Sequence, residues 1–216
     1  SSPSGNGAIQ PFAARCAIPC LLFYKRAVVF IISSNFIGTF KIGDNIHYNL
    51  RVLVILYQQF EAGDNETKRL LCKPISVLII SIIEAVLYDF YLRCRMFTRE
   101  GVATLAESAL HYFRTLEKDE FYTAIESAKN HKLFGATEDF YAQLHELRKL
   151  RNRVHIQNKK NDLERDDRNA FTIDRKNKSE GALEAVMKIL SRDHPRPAHI
   201  QGILDDFQLP WQERYQ

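Results

Sequence analysis

The sequence predicts an all-α protein, an up-and-down helical bundle with an N-terminal extension of uncertain structure. Three observations carry this expectation. Gly (9) and Pro (7) are scarce in 216 residues, too few turn formers for a β-sandwich or barrel. Apolar residues recur at helical spacing through most of the chain from residue 44 onward. Residues 74–97 then run without an internal breaker and are apolar around most of a helical circumference, as a central bundle helix would be. The overall composition, 45% hydrophobic and 26% charged, excludes whole-chain disorder and fibrous repeats, and the length suits one main core.

Residues 1–10 read as a tag or flexible end. Residues 11–63 form an N-terminal extension and helix that pack on the bundle. Within it, Leu21-Leu22-Phe23-Tyr24 and Val28-Val29-Phe30-Ile31-Ile32 are short runs that fit helix or strand equally. Asp44 or Asn45 starts a helix whose apolar positions are Ile46, Leu50, Leu53, Val54, Leu56 and Tyr57, ended by Ala62-Gly63. The bundle proper spans 64–197. Asp64-Asn65 opens it, and Pro74 either kinks that element or sits in the first turn of a new helix. Ile75, Leu78, Ile79, Ile82, Ile83, Val86, Leu87, Phe90 and Tyr91 line the central helix, with Glu84 and Asp89 as embedded acids that need a partner, an opening or a proton.

Residues 103–116 and 121–129 read as two shorter helices. Thr137 is the expected N-cap of the next, with Glu138 and Asp139 suited to its dipole. Its apolar stripe is Phe140, Leu144, Leu147, Leu150 or Arg151, and Val154. Residues 158–178, highly charged and without apolar periodicity, read as a solvated loop, and 182–190 as the last amphipathic helix, stopped by His194-Pro195 and Pro197. The tail 198–216 holds Ile200, Ile203, Leu204, Phe207, Leu209 and Trp211, too apolar for a free end, and is expected to pack back on the bundle.

The apolar stretch 27–40 is shorter than the roughly 20 residues a membrane span needs, so no membrane segment is expected. The opening residues lack the pattern of a secretory signal, and the four Cys look like reduced thiols, which points to the cytoplasm. Cys16 and Cys20 are four apart but have no second ligand pair, so neither a metal nor a cofactor is expected. A Gly-rich phosphate loop, a nucleophile elbow and a metalloprotease helix are all missing from the sequence, which argues against nucleotide hydrolysis and triad chemistry.

Charge is where the sequence becomes specific. The chain carries a net +4, yet Arg148, Lys149, Arg151, Arg153, Lys159 and Lys160 lie within one short segment that contains no acid. Concentrated positive charge suits a polyanion, although a solvated helix face is the plainer reading. His155 shifts the balance. On a helix it follows Arg151 by four residues and Arg148 by seven, so both guanidinium groups share its face, with Asn152 on an adjoining edge. An imidazole moves protons near neutral pH and guanidinium groups hold a phosphate, which is what transesterification at an RNA phosphate needs when the 2′-OH is the nucleophile. His145, ten residues earlier, is the other imidazole that could approach this face.

Leu147-Arg148-Lys149-Leu150-Arg151-Asn152-Arg153-Val154-His155 resembles the signature of HEPN domains, an Arg followed after four to six residues by His near the end of a helix. Arg148 has that spacing to His155, whereas Arg151 has the Asn behind it that the family favours, so either could fill the role. The apolar helix with its embedded acid, a shorter helical pair and a closing helix extend the resemblance over roughly 70–195. It implies a metal-independent ribonuclease of toxin or antiviral-defence type, acting as a homodimer whose motifs face one another, with a separate antitoxin or nucleotidyltransferase as possible partner. Under it His155 is acid or base, Arg148 and Arg151 contact the phosphate, Asn152 positions it, and Lys149, Arg153, Lys159 and Lys160 guide RNA. Glu84 would orient the motif from the central helix. The alternatives are a catalytically inactive HEPN-like module that binds RNA or protein, and a purely structural bundle whose arginines pair with nearby acids.

Overall fold

A computed structural model describes residues 30–96, 105, 108, 109, 111, 112, 121–135, 137–154, 163, 164 and 166–214. They form an all-α helical bundle with one two-stranded ribbon. The elements in chain order are β1 (Phe30–Ile32), α1 (Phe40–Ala62), α2 (Asn65–Met96), α3 (Phe121–Asn130), α4 (Glu138–Asn152), α5 (Asp167–Ala170), α6 (Ile173–Asp193) and β2 (Phe207–Leu209). Helix α2 runs through the middle of the core, with α1 and α6 along it and α3 and α4 against its other side. Ile75, Ile79, Ile80, Ile83, Val86 and Leu87 are fully enclosed. By length and composition α2 could cross a bilayer, since its most apolar 18-residue window has a mean hydropathy of 2.2. Half of that window is buried against its neighbours, as in a core helix.

Helix α1 starts at Phe40, about a turn before the expected Asp44. The cause lies on α2. Asp89, 1% exposed, accepts hydrogen bonds from the backbone N–H of Gly38 at 2.7 Å and of Thr39 at 2.9 Å, serving donors that a helix start leaves open. Burial raises the Asp89 carboxyl above the usual range, against the pull of those bonds. One turn on, Arg93 is fully buried and donates to the Phe36 carbonyl at 2.6 Å. Gly38 lets this contact close, because a Cβ there would lie 3.0 Å from Arg93 Cγ. Helix α2 is capped by Asp64, whose Oδ1 accepts from Thr67 N at 2.8 Å, and it passes through Pro74 without a break. Pro74 and Leu70 are both exposed, so the missing donor falls on the solvent side of the helix.

The turn after α3 uses left-handed backbone at Lys132 (φ 51°) and Gly135 (φ 78°) and delivers Thr137 as the N-cap position of α4. The Thr137 side chain makes no capping bond, contrary to expectation. Tyr141, Leu144, Leu147 and Leu150 form the buried stripe of α4. Val154, expected on that stripe, is 49% exposed because the helix has already ended.

The largest departure concerns residues 158–178. Their second half is not a loop: α6 begins at Ile173, nine residues before the expected start, capped by Thr172 Oγ1 accepting from Arg175 N at 3.2 Å. The apolar pattern was invisible because the buried face of α6 carries charge, with Lys176 3% exposed and Glu180 and Glu184 fully buried. Lys176 Nζ and the Tyr57 hydroxyl both donate to Glu180 Oε1, and Arg214 meets Glu180 Oε2. Trp211 Nε1 donates to Glu184 Oε1 at 2.7 Å. The tail thus lies back along α6, and β2 pairs antiparallel with β1 in the register Phe30↔Leu209 and Ile32↔Phe207. Phe207 and Leu209 are fully enclosed and Trp211 nearly so. Residues 1–29, including Cys16 and Cys20, and most of the helix expected over 103–116 lie outside the described residues.

Candidate functional site

The basic segment begins on the last two turns of α4, where three arginines within six residues meet three different fates. Arg148 lies with its guanidinium carbon 5.1 Å from the centroid of the Tyr122 ring on α3. It forms no hydrogen bond or ion pair among the described residues, and its Nε is buried without a partner. Arg151 reaches α2, where its Nη2 meets Glu84 Oε2 at 2.5 Å with both side chains partly open, and its Nη1 donates to Asn152 Oδ1 at 3.4 Å. Glu84 thus has its partner at the rim of the core.

Arg153 does not belong with the RNA-guiding cations expected from sequence. It is 4% exposed and tied inward, with Nη2 3.0 Å from Asp167 Oδ1 and Nη1 bonded to the Glu164 carbonyl. Asp167 is held by Lys73 as well, at 2.5 Å, and hydrogen bonds from Lys73 first and Arg153 next lower its carboxyl below the usual range. The physical reason is position. Arg153 follows the last residue of α4, where its N–H bonds back to Leu150 and its side chain folds under the 163–170 segment.

The helical argument for His155 also stops short. Helix α4 ends at Asn152, and Arg153 and Val154 form a turn, so the spacing of four and seven residues from Arg151 and Arg148 does not run along one continuous helix. His155, Lys159 and Lys160 themselves lie outside the described residues. Asn152 is exposed beside Arg151, and Lys149 is exposed with no ion pair among the described residues.

Around Arg148 the fold assembles a cluster that sequence patterning missed in part. His145 Nε2 lies 2.6 Å from Glu126 Oε1, and the His145 ring stands 5.2 Å from that of Tyr122 at 44°. Tyr122 and Glu126 are four apart on α3, and His145 and Arg148 three apart on α4, so each pair shares a helix face. Only the packing of α3 on α4 brings the two faces together. His145 further lines a groove of about 350 Å³ with Lys129, Tyr141, Glu146 and Lys149. Among the described residues no three His, Cys, Asp or Glu side chains converge as metal ligands. The chain matches no family model, no curated protein and no solved structure.

Chemically, the site offers a guanidinium and a neighbouring Lys149 ammonium that have no carboxylate partner among the described residues, and an aromatic ring half open to solvent. Such a set suits an anion attached to something flat.

Proposed function

We propose that this protein is an endoribonuclease that cleaves RNA by attack of the 2′-OH on the adjacent phosphate, through the Arg148 to His155 motif. In this reading His155 takes the proton of the 2′-OH, and its counterpart in the homodimer implied by the HEPN resemblance protonates the leaving 5′-oxygen. The products are a 2′,3′-cyclic phosphate and a 5′-hydroxyl. Arg148 holds the scissile phosphate and stabilises its added charge. No metal has a role in the scheme, because the substrate supplies its own nucleophile.

The observation that supports this reading is the difference among the three arginines. Arg151 is paired with Glu84 and Arg153 with Asp167, whereas Arg148, the residue with six others between it and His155, has no ion pair among the described residues. Arg148 is therefore the motif arginine, and Arg151 with Asn152 braces the end of α4 against α2.

The test is incubation of the purified chain with a mixed RNA pool in EDTA, followed by end-group analysis. Wild type is expected to yield cyclic phosphate ends, with His155→Ala and Arg148→Ala each losing at least about a hundredfold in rate. RNA that is bound but left intact would reject catalysis and leave an RNA-binding module in its place.

A further inference from the structure

We infer that Tyr122, Arg148 and His145 form a stacking subsite for one unpaired nucleobase, so that the ligand of the basic face is single-stranded RNA. The inference rests on the RNA reading above and deepens it by naming the class of RNA.

Tyr122 is 49% exposed on the first turn of α3, with a guanidinium over its ring and an imidazole beside it. The assembly is built in tiers. The Glu126 carboxylate fixes the His145 ring, His145 leans on Tyr122, and Tyr122 carries Arg148. A solvated structural face would pair Arg148 with an acid, and acids are present on both helices. Three of them are engaged elsewhere, Glu126 with His145, Glu138 with Lys129 and Glu146 with Arg175, and Asp139 sits in the first turn of α4, more than two turns before Arg148. The arginine is left stacked and charged, a platform that presents π-surface and positive charge together. Nucleobases stack on aromatic rings and on guanidinium planes, and the attached phosphate then meets unneutralised cations. His145 also lines the neighbouring groove, where Lys129 is paired with Glu138 and Lys149 has no ion pair among the described residues, so the cations next to the stacked base are Arg148 and Lys149. A duplex cannot use such a platform, since its bases are already stacked and paired.

The experiment uses the full chain and an eight-residue 2′-O-methyl RNA containing one 2-aminopurine, which binds without being cut. Its affinity and fluorescence are compared with those of the same strand in a duplex. Wild type is expected to quench the fluorophore and to bind the single strand at least about tenfold more tightly than the duplex. Tyr122→Ala is expected to weaken single-strand binding about tenfold and abolish the quench, while Tyr122→Phe stays within about twofold of wild type. Tyr122→Leu, which preserves bulk without a π-face, covers the case in which the alanine variant fails to fold and should behave like it. Unchanged binding in a folded Tyr122→Ala or Tyr122→Leu protein, or equal affinity for strand and duplex, overturns the subsite. The nuclease reading is scored separately on unmodified RNA. Stacking without cleavage sinks that reading and leaves the subsite, whereas cleavage with Tyr122-independent binding does the reverse. No binding at low salt sinks both and points to a protein partner.

Discussion

Two charged helix faces in this molecule, the inner face of α6 and the final turns of α4, use similar residues to opposite ends. On α6, Lys176, Glu180 and Glu184 are withdrawn from water, and each meets a counter-charge or a donor: Lys176 and Tyr57 on Glu180, Trp211 on Glu184, Arg214 closing over Glu180. Removing an ion from water costs several kcal/mol, so a buried charge persists only inside a completed network. On α4, Arg148 and Lys149 remain partly or fully in water, where a lone charge costs little, and neither meets a carboxylate among the described residues. A completed network is evidence of architecture. A charge left open beside acids that serve other residues is what the proposed RNA site is argued from.

That contrast breaks most visibly inside. Glu180→Gln strands the Lys176 ammonium among the Tyr57 and Phe60 rings and is expected to cost about 3–5 kcal/mol in chemical denaturation. Restoring apolar character at both positions, Lys176→Met with Glu180→Leu, is expected to recover most of that loss. Recovery of nothing would mean that the network holds the tail in a way its charge balance does not describe.

Arg153 and Arg148 then sharpen it from opposite sides. Arg153→Ala removes a buried partner of Asp167 and is expected to lower stability by about 2–3 kcal/mol, measured by urea denaturation. Arg148→Ala is expected to shift stability by under about 0.5 kcal/mol while weakening RNA binding by about 1–3 kcal/mol and reducing the salt slope by about one. If the two variants exchanged phenotypes, the assignment of the charges would be reversed.

A smaller effect is expected from His194, 7% exposed and 5.5 Å from the Phe90 ring. Burial lowers its imidazole below the usual value and Arg93 adds to this, with Asp193 opposing. The fold therefore favours neutral His194, and the unfolded chain takes up the proton first as pH falls below about 6.5. Stability from this group is complete above that pH and is lost on acidification. The drop in melting temperature between pH 7.5 and 5.5 should thus be smaller in His194→Gln than in wild type. The smallest effect belongs to the Glu84 and Arg151 pair. Both side chains are partly exposed, so a double-mutant cycle should give a coupling of about 1 kcal/mol or less.

Helix character was legible from spacing and breakers, as in α2, where apolar residues surround the axis, and in α4, where Leu144, Leu147 and Leu150 mark the buried side. The start of α6 was illegible for a physical reason. Patterning treats Lys and Glu as solvent-facing, and here Lys176, Glu180 and Glu184 are the inward residues, made tolerable by Tyr57, Trp211 and Arg214 from distant parts of the chain. Helix α1 began early for a related reason, since its cap is Asp89, fifty residues on. In the candidate site, the basic cluster and its arginines were visible as charge, and His145 as a neighbour. Tyr122 and Glu126 were not, because nothing local to α3 says that α4 lies across it.

By itself, then, the sequence determined which segments become helices wherever apolar periodicity and solvent exposure coincide, and that positive charge gathers after Leu147. Only the tertiary structure decided which of those charges are spent. Arg153 turns inward to Asp167, Arg151 crosses to Glu84, and Arg148 is left stacked on Tyr122. Whether a charge is paired depends on which acids the packing brings within reach, and spacing along one helix does not contain that information.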